Sequence, residues 1–344
     1  MFAVADVAFA DTDHVKKTDI EWPVGNGNSR IYFDTETGTI TGCSRYVQKV
    51  EIPEEINGKR VKKIGRDAFF NCIRLEEIVI PNSIESIGDC AFGNCALTEI
   101  TIPESVKEIG HNPFTICKNL ESINVSPDNV YYRSISGVLY DRDVTTVIRC
   151  PQKTKQVSIP YGVTDIDRHA FSGCTALSKI SIPSSVKTIG SWAFKGCEAL
   201  SEITIPDSVK EIGRDSFMRC KNLKSINVSP DNEYYRSISG VLYDKDVATV
   251  IRCPQKTKQV NIPNNITKLE DYAFTGCTLL SEISIPNSVE SIGTHTFEEC
   301  SSIKRIKIPP NVRSLEGNVF MDCTALTAII IPPKVRYIQL DVVI

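Results

Sequence analysis

Apolar and polar positions recur along this chain with a period of 23 residues when nothing is inserted or lost. The pattern has the form L-x-x-I-x-I-P-x-x-V-x-x-I-G-x-x-A-F-x-x-C, and the copy from Leu200 to Cys220 shows the first part clearly. Ile203-Thr-Ile205 alternates apolar and polar residues, which predicts a short strand with one buried face. Pro206 lacks the N–H that a ladder needs, so the strand ends there.

The second half of the unit predicts a segment that packs over the buried face of the strand. Val209 and Ile212 are spaced to point inward, and Gly213 suits a bend where a side chain would strain the backbone. Phe217 and Cys220 have the i, i+3 spacing of one or two helical turns lying over the core. One unit cannot bury these groups alone, whereas stacked units bury them in columns and align their strands as a parallel sheet. The pattern therefore predicts a repeat solenoid of about twelve turns.

This pattern resembles the leucine-rich repeat, whose apolar residues follow L-x-x-L-x-L before a Cys or Asn. The I-P after the strand and the later I-G-x-x-A-F-x-x-C are similar to the BspA-like (Treponema-type) variant over about residues 47–338. The first unit departs from it, because Asn57–Arg60 lengthens a loop. The resemblance implies a superhelix or horseshoe with one short parallel strand per turn and loops or short helical turns on its convex side. It also implies a surface or secreted protein of a bacterium or protist, acting in adhesion and protein binding.

Four segments are expected along the chain. Residues 1–29 form a tail, in which Ala8-Phe9-Ala10 fits a signal-peptide cleavage site, so the tail is either the remnant of an export signal or a disordered segment. Residues 30–52 form a β-hairpin cap, and residues 53–338 form the solenoid. Residues 339–344 form an apolar end that is either covered from outside the chain or folded back, and an exposed apolar end would favour self-association.

Two repeats carry insertions, near residues 126–156 and 229–259. The segments 117–160 and 220–263 match at 39 of 44 positions, so a four-turn block is duplicated. Each contains an S-P-D-N turn and a predicted hairpin that leaves the regular coil, and insertions of this kind often form the binding face. The candidate partner-binding residues are Tyr131, Tyr132, Arg133 and Tyr140, repeated as Tyr234, Tyr235, Arg236 and Tyr243. Alternatively, some of these tyrosines only pack the hairpin onto the solenoid.

Composition excludes some classes of partner. The cysteines do not decide whether the protein folds in a reducing or an oxidising compartment. The 39 basic and 42 acidic residues give a net charge of −3, so no nucleic-acid partner is expected. No stretch approaches the roughly 20 apolar residues of a membrane-spanning helix. Nine of the thirteen cysteines share one position of the repeat, which predicts a buried column of free thiols. The expected spacing between turns would also permit disulfides.

The sequence contains no recognisable catalytic set. The four histidines are scattered, no Cys pair has the C-x-x-C spacing of a zinc site, and no nucleophile, phosphate-loop or metalloprotease motif occurs. We therefore expect no enzyme activity, no cofactor and no metal. The leading hypothesis is a binding or adhesion scaffold, exported or on the cell surface, that holds a host or cell-surface protein or glycan through the solenoid face and the inserts. The alternative is a structural spacer or the repeat half of a larger multidomain surface protein.

Overall fold

The computed structural model describes residues 19–24, 29–315 and 317–338. The expected signal remnant around Ala8–Ala10 and the apolar end at residues 339–344 lie outside the described residues. The chain divides into two compact units. Unit 1 comprises residues 1–144 and 148–153, and unit 2 comprises residues 145–147 and 154–344.

Unit 1 is built from short strands joined by turns. Its strands are β1 (Ile20–Val24), β2 (Ser29–Asp34), β3 (Thr39–Cys43), β4 (Lys49–Glu51), β5 (Glu55–Ile56), β6 (Lys59–Arg60), β7 (Lys63–Ile64), β8 (Glu77–Val79), β9 (Ser86–Ile87), β10 (Glu99–Ile102), β11 (Glu108–Ile109), β12 (Ser122–Val125), β13 (Tyr132–Ile135) and β14 (Val138–Asp141). One sheet has the order β1-β2-β3-β7-β9-β11, and separate parallel pairs join β4 to β8 and β10 to β12. The lengthened loop at Asn57 is the tip of the small antiparallel pair β5-β6.

Unit 2 repeats the same construction. Its strands are β15 (Thr146–Arg149, of which the first two residues belong to this unit), β16 (Gln156–Ser158), β17 (Asp165–Ile166), β18 (Lys179–Ser181), β19 (Thr188–Ile189), β20 (Glu202–Ile205), β21 (Glu211–Ile212), β22 (Ser225–Val228), β23 (Tyr235–Ile238), β24 (Val241–Asp244), β25 (Thr249–Arg252), β26 (Lys268–Leu269), β27 (Ser291–Ile292), β28 (Arg305–Lys307), β29 (Ser314–Leu315), β30 (Ala328–Ile330) and β31 (Tyr337–Ile338). Parallel pairs again join the strands of successive turns.

Most regular turns contribute to two parallel ladders. In one turn of unit 2, β20 precedes Pro206 and pairs with β22 of the next turn, while β21 precedes Gly213 and pairs with β19 of the previous turn. Ile203 and Ile205 of β20 are buried in the core, as the alternation predicts, and Ile212 of β21 is half-buried. The repeat solenoid is confirmed, and the structure adds a second, two-residue strand to the single one that was expected.

The A-F-x-x-C segment forms hydrogen-bonded turns, and the described residues contain no α-helix. The expected helical turns do not form because two positions of each such segment adopt a left-handed backbone. In one turn these are Asp215 (φ 56°) and Arg219 (φ 57°). A left-handed residue cannot continue a right-handed helix, so two of them four residues apart limit the segment to tight turns. Met218 N–H donates to Asp215 O at 3.0 Å within one such turn.

Phenylalanine rings fill the core in stacks of three. In unit 2, the ring centroid of Phe194 lies 5.1 Å from that of Phe171 and 5.7 Å from that of Phe217, with nearly parallel planes. The cysteine of each turn sits beside this stack, and the Cys220 thiol donates to Phe194 O of the previous turn at 3.1 Å. Similar thiol-to-carbonyl contacts recur at Cys95, Cys117, Cys197, Cys300 and Cys323. These thiols therefore satisfy backbone carbonyls as well as filling space.

One cysteine of the column departs from the expected free thiol. Cys72 forms a disulfide with Cys43 at the end of β3. The other eight cysteines of the column are not disulfide-bonded. The pairing occurs because the chain before the first regular turn supplies a cysteine there, a position that the 23-residue pattern does not contain.

The glycine of the I-G pair has a different role from the one expected. At Gly213 an added Cβ would lie 2.3 Å from the backbone nitrogen of Ser191 and 2.7 Å from the carbonyl carbon of Gly190, both in the previous turn. Gly213 is absent from the positions with positive φ, so no unusual bend requires it. It is needed because successive turns approach each other backbone to backbone at this point.

The N-terminal cap is a three-stranded antiparallel meander rather than a hairpin. It begins with β1 at Ile20, inside the segment expected to be a tail, and continues through β2 and β3. β3 then pairs in parallel with β7, with Thr39 opposite Lys63 and Ile40 opposite Ile64. The meander therefore continues directly into the parallel ladder of the regular turns.

The insert of unit 2 has the same construction as the cap. β23, β24 and β25 form an antiparallel meander, and β25 pairs in parallel with β26. Residues 31–43 of the cap align with residues 241–253 without a gap, and both hairpins have a register shift at the same place, at Tyr32/Phe33 and Leu242/Tyr243. The expectation that the insert leaves the regular coil is therefore wrong, because β24 is buried and its meander leads into the ladder.

Candidate partner-binding site

A buried asparagine fixes the start of each insert. In unit 2, the side-chain amide of Asn232 donates to Pro206 O at 2.7 Å and to Val209 O at 2.9 Å, both in the preceding turn. Its side-chain oxygen accepts the backbone N–H groups of Tyr234 and Tyr235, each at 2.8 Å. All the hydrogen-bonding capacity of this amide is used, so the two tyrosines that follow have a fixed backbone.

Unit 1 contains the same arrangement around Asn129. Its amide donates to Pro103 O at 2.7 Å and Val106 O at 3.0 Å, and its oxygen accepts from Tyr131 N and Tyr132 N at 2.8 Å. The last residue of S-P-D-N was predicted only as turn chemistry. The structure shows that it ties the insert to the turn before it.

The second tyrosine of each pair serves the fold. The Tyr235 hydroxyl accepts from Ile212 N at 3.0 Å and donates to Lys210 O at 3.4 Å. In unit 1, the Tyr132 hydroxyl accepts from Ile109 N at 3.0 Å in the same way. Each hydroxyl caps the edge of a short strand that would otherwise pair with a following turn. Partial burial raises the pKa of both hydroxyls.

Tyr140 and Tyr243 lie in the core. Both side chains are almost fully buried, in β14 and β24, and burial raises the pKa of each to about 12. A partner cannot reach these two residues in the folded protein. Four of the insert tyrosines thus pack within the fold, as in the alternative interpretation of these residues: Tyr132, Tyr140, Tyr235 and Tyr243.

The first tyrosine of each pair faces solvent. The side chains of Tyr131 and Tyr234 are 44% and 41% exposed on a backbone fixed by the buried asparagines. Large exposed aromatic groups on a rigid backbone suit partner binding, because little conformational freedom is lost when they are covered. The structure thus retains one accessible tyrosine in each copy of the insert.

The charges beside the two exposed tyrosines differ. In unit 1, Arg142 donates to Asn129 O at 2.8 Å, and Arg133 is exposed to solvent. In unit 2 a lysine replaces Arg142, and Arg236 instead donates to Asn232 O and is half-buried. Lys245 stands where unit 1 has Arg142. The arginine that binds the asparagine carbonyl is therefore Arg142 in unit 1 and Arg236 in unit 2.

Nearby substitutions increase this difference. Val130, which is exposed beside Tyr131, is replaced by Glu233 beside Tyr234. The Lys210 ammonium lies 6.0 Å from the centroid of the Tyr234 ring, at the limit of a cation–π contact. The two copies therefore share a tyrosine, while only the copy in unit 1 adds an apolar side chain and an exposed arginine.

The strand face between the buried isoleucines is polar and exposed at Glu202 and Thr204 of β20 and at Arg305 and Lys307 of β28. The hairpins partly cover the corresponding residues of β12 and β22. Ser134 and Ser237 each donate to an isoleucine carbonyl of these strands at 2.6 Å. The solenoid face is thus open on the regular turns and partly occupied beside each insert.

A cavity of about 270 Å³ lies in unit 2 where the insert interrupts the phenylalanine stack, between Phe217 and Arg252. Arg252 is buried and donates to Thr275 O at 3.1 Å. Burial raises the pKa of Asp215 in the wall, while Arg252 and Arg214 oppose that shift. The wall of the cavity carries two arginines, Arg214 and Arg252, and three carboxylates, Asp215, Glu270 and Asp271.

The structure brings no metal site together in its described part: no group of three or more His, Cys, Asp or Glu side chains could hold an ion there. In the same residues, no helix has the length and apolar character needed to cross a membrane.

The short parallel strands, the proline that follows the first strand of most regular turns, and the stacked A-F-x-x-C turns define a leucine-rich-repeat β-solenoid. The model of the BspA type leucine rich repeat region matches residues 41–140, 148–240 and 252–343, in six copies. The chain therefore belongs to the BspA-type leucine-rich-repeat family.

Solved structures agree with this assignment. The chain is similar to a leucine rich cell surface protein from Faecalibacterium prausnitzii, with 27% identity, a TM-score of 0.56, and coverage of 90% of this chain and 94% of that one. It is also similar in fold to a leucine-rich repeat protein from Eubacterium ventriosum, with 22% identity, a TM-score of 0.51, and coverage of 86% and 92%. No curated protein matches the chain significantly.

Proposed function

We propose that this chain is a non-enzymatic binding scaffold, secreted or displayed on a cell surface, that holds a protein or glycan partner through the inserts and the adjoining solenoid face. The observation that carries the proposal is the exposed tyrosine presented twice, at Tyr131 and Tyr234, on a backbone fixed by a buried asparagine. The F. prausnitzii relative, which is described as a cell surface protein, supports the location.

The two inserts give the proposal a specific form. Tyrosine is a frequent anchor of binding hot spots because it combines a large apolar ring with a polar hydroxyl. Two modest contacts on one chain bind a multivalent surface more strongly than either alone, provided that both can engage at once. The different neighbours of the two tyrosines predict that Tyr131, beside Val130 and Arg133, makes the larger contribution.

The experiment is a pull-down from cell-surface and extracellular-matrix extracts with the intact chain, followed by binding measurements on each partner it captures. We expect Tyr131→Ser and Tyr234→Ser to weaken binding singly and to weaken it further together. The matched control is Tyr161→Ser, since Tyr161 is 83% exposed but lies outside both inserts. Unchanged affinity of the double variant would exclude the inserts as the site, and no captured partner would favour the spacer hypothesis.

A further inference from the structure

The disulfide of unit 1 occupies a defined place in the architecture. Cys43 is the last residue of the cap meander, and Cys72 belongs to the first A-F-x-x-C turn that follows it. The bond therefore ties a meander to the first regular turn stacked on it.

Unit 2 has cysteines at both equivalent places. Aligning residues 31–43 with 241–253 puts Cys253 at the position of Cys43. Cys277 belongs to the first A-F-x-x-C turn after the insert, as Cys72 does after the cap. The ladders agree as well, because Thr39 pairs with Lys63 and its counterpart Thr249 pairs with Lys268.

The contacts of Cys277 differ from those of the other column thiols. Cys300, one turn further on, donates to Phe274 O of the preceding turn at 3.2 Å. The insert before Cys277 has no A-F-x-x-C segment, so the phenylalanine carbonyl is missing there. Cys277 instead lies against Cys253: its sulfur is 3.6 Å from Pro254 O and 3.8 Å from Cys253 O.

We propose that Cys253 and Cys277, both free in this structure, are a disulfide-forming pair that closes the second meander onto its first regular turn when the chain folds under oxidising conditions. Both side chains are fully buried, so the bond forms during folding, before the turn packs over them. The oxidant is a small-molecule disulfide such as oxidised glutathione.

The exchange is balanced in two steps. The Cys253 thiolate attacks one sulfur of the glutathione disulfide, which forms a mixed disulfide and releases one glutathione thiolate. The Cys277 thiolate then attacks the Cys253 sulfur and releases the second. The two protein thiols lose their protons and two electrons in total, and two molecules of reduced glutathione are formed.

The two thiols differ in acidity once the chain is folded. The contact with Cys277 lowers the pKa of Cys253, whereas the same contact and then burial raise the pKa of Cys277. Burial also raises the pKa of Cys220 and Cys300. In the folded protein Cys253 is therefore the more acidic thiol of the pair.

The test is to refold the full chain in a mixture of reduced and oxidised glutathione, unfold it in guanidinium chloride with iodoacetamide present so that every free thiol is blocked, and digest it without reduction using a protease that cleaves after glutamate. Cleavage after Glu233, Glu270 and Glu282 places Cys253 in the peptide 234–270 and Cys277 in the peptide 271–282, and each peptide contains one cysteine. We expect mass spectrometry to find these peptides cross-linked, with two hydrogen atoms lost. Cys300, in the peptide 300–316, should be alkylated and serves as the column control.

Two variants make the result specific. In Cys253→Ser, Cys277 should become alkylated, and in Cys277→Ser, Cys253 should become alkylated, while Cys43 and Cys72 remain linked in both. Alkylation of both Cys253 and Cys277 in the refolded parent chain would overturn the proposal, as would linkage of either to another cysteine.

Discussion

The central ring of a phenylalanine stack offers a direct test of how this fold is stabilised. Phe194 is fully buried between Phe171 and Phe217, with ring centroids 5.1 and 5.7 Å away. Truncating a buried phenylalanine to alanine costs about 3–5 kcal/mol through lost burial and the cavity left behind. We therefore expect Phe194→Ala to lower the free energy of unfolding by about that amount.

Phe217→Ala is the matched control, because Phe217 is also buried but stacks on one ring only. Each aromatic pair contributes about 0.5–1.5 kcal/mol beyond burial, so Phe194→Ala should cost more than Phe217→Ala by about that margin. Both losses are measured by urea unfolding followed by circular dichroism. Trp192 lies two residues before Phe194, and when the other tryptophan is removed by Trp22→Phe, its fluorescence shows whether this turn unfolds together with the rest.

Two results would refute the reasoning. A loss below about 1 kcal/mol for Phe194→Ala would be too small for a packed core position. Equal losses for the two variants would mean that stacking on the second ring adds nothing. Tyr161→Ala should stay within about 0.5 kcal/mol of the parent, since this side chain is exposed and its loss leaves no cavity.

Three further predictions follow from buried groups. Asn232→Ala should lower stability by about 1–3 kcal/mol in urea unfolding, because it leaves Pro206 O and Val209 O unpaired. Gly213→Ala should lower it by about 1–3 kcal/mol, because the added methyl group meets the backbone of the previous turn. In an alkaline titration followed by ultraviolet absorbance, Tyr140 and Tyr243 should ionise near pH 12 instead of near the ordinary value of about 10, and stability should fall as the pH rises from about 10 to 12.

Each of these has a control and a contrary outcome. Asp231→Ala beside Asn232 is exposed and should be nearly neutral, and equal effects of the two substitutions would contradict the anchoring role. Gly162→Ala tests the same change where an added Cβ has nothing within 4 Å, although its φ of 106° adds strain of its own. The sign of the alkaline effect follows because the unfolded chain loses these tyrosine protons first. Stability that is constant from pH 10 to 12 would mean that both hydroxyls reach water.

Much of the fold could be predicted from the sequence because the repeat imposes the same packing at every turn. The alternation in Ile203-Thr-Ile205, the strand end at Pro206 and the burial of Phe217 each depend on contacts within one turn and its neighbours, and each recurs. The second strand before Gly213 was missed, since two residues are too few to show a period.

The site could be predicted only in part. Residue type alone cannot separate Tyr234 from Tyr235, because which ring faces solvent depends on the hydrogen bonds of Asn232. The four hydrogen bonds of that asparagine join segments more than 20 residues apart or fix the local backbone, and the only signal was the exact repetition of S-P-D-N.

The similarity of the cap and the insert was also beyond sequence reasoning. Residues 31–43 and 241–253 share three identical residues, at Asp34, Thr39 and Cys43 of the cap. Both segments have a register shift at the same place, and each leads into a parallel pair, β3 with β7 and β25 with β26. These similarities appear only in the sheet pairing. Backbone topology is thus retained where side-chain identity has largely been lost.

The antiparallel meanders also bear on how the chain folds. A regular turn pairs only with strands about 23 residues away, whereas β2-β3 and β24-β25 pair across loops of a few residues. Such hairpins form in about 1–10 μs, and closing their short loops costs little chain entropy. We therefore expect each unit to nucleate at a hairpin and to grow turn by turn from it. In a refolding experiment with pulsed hydrogen-exchange labelling, the backbone amides of β24 and β25 should then become protected before those of β28 and β30.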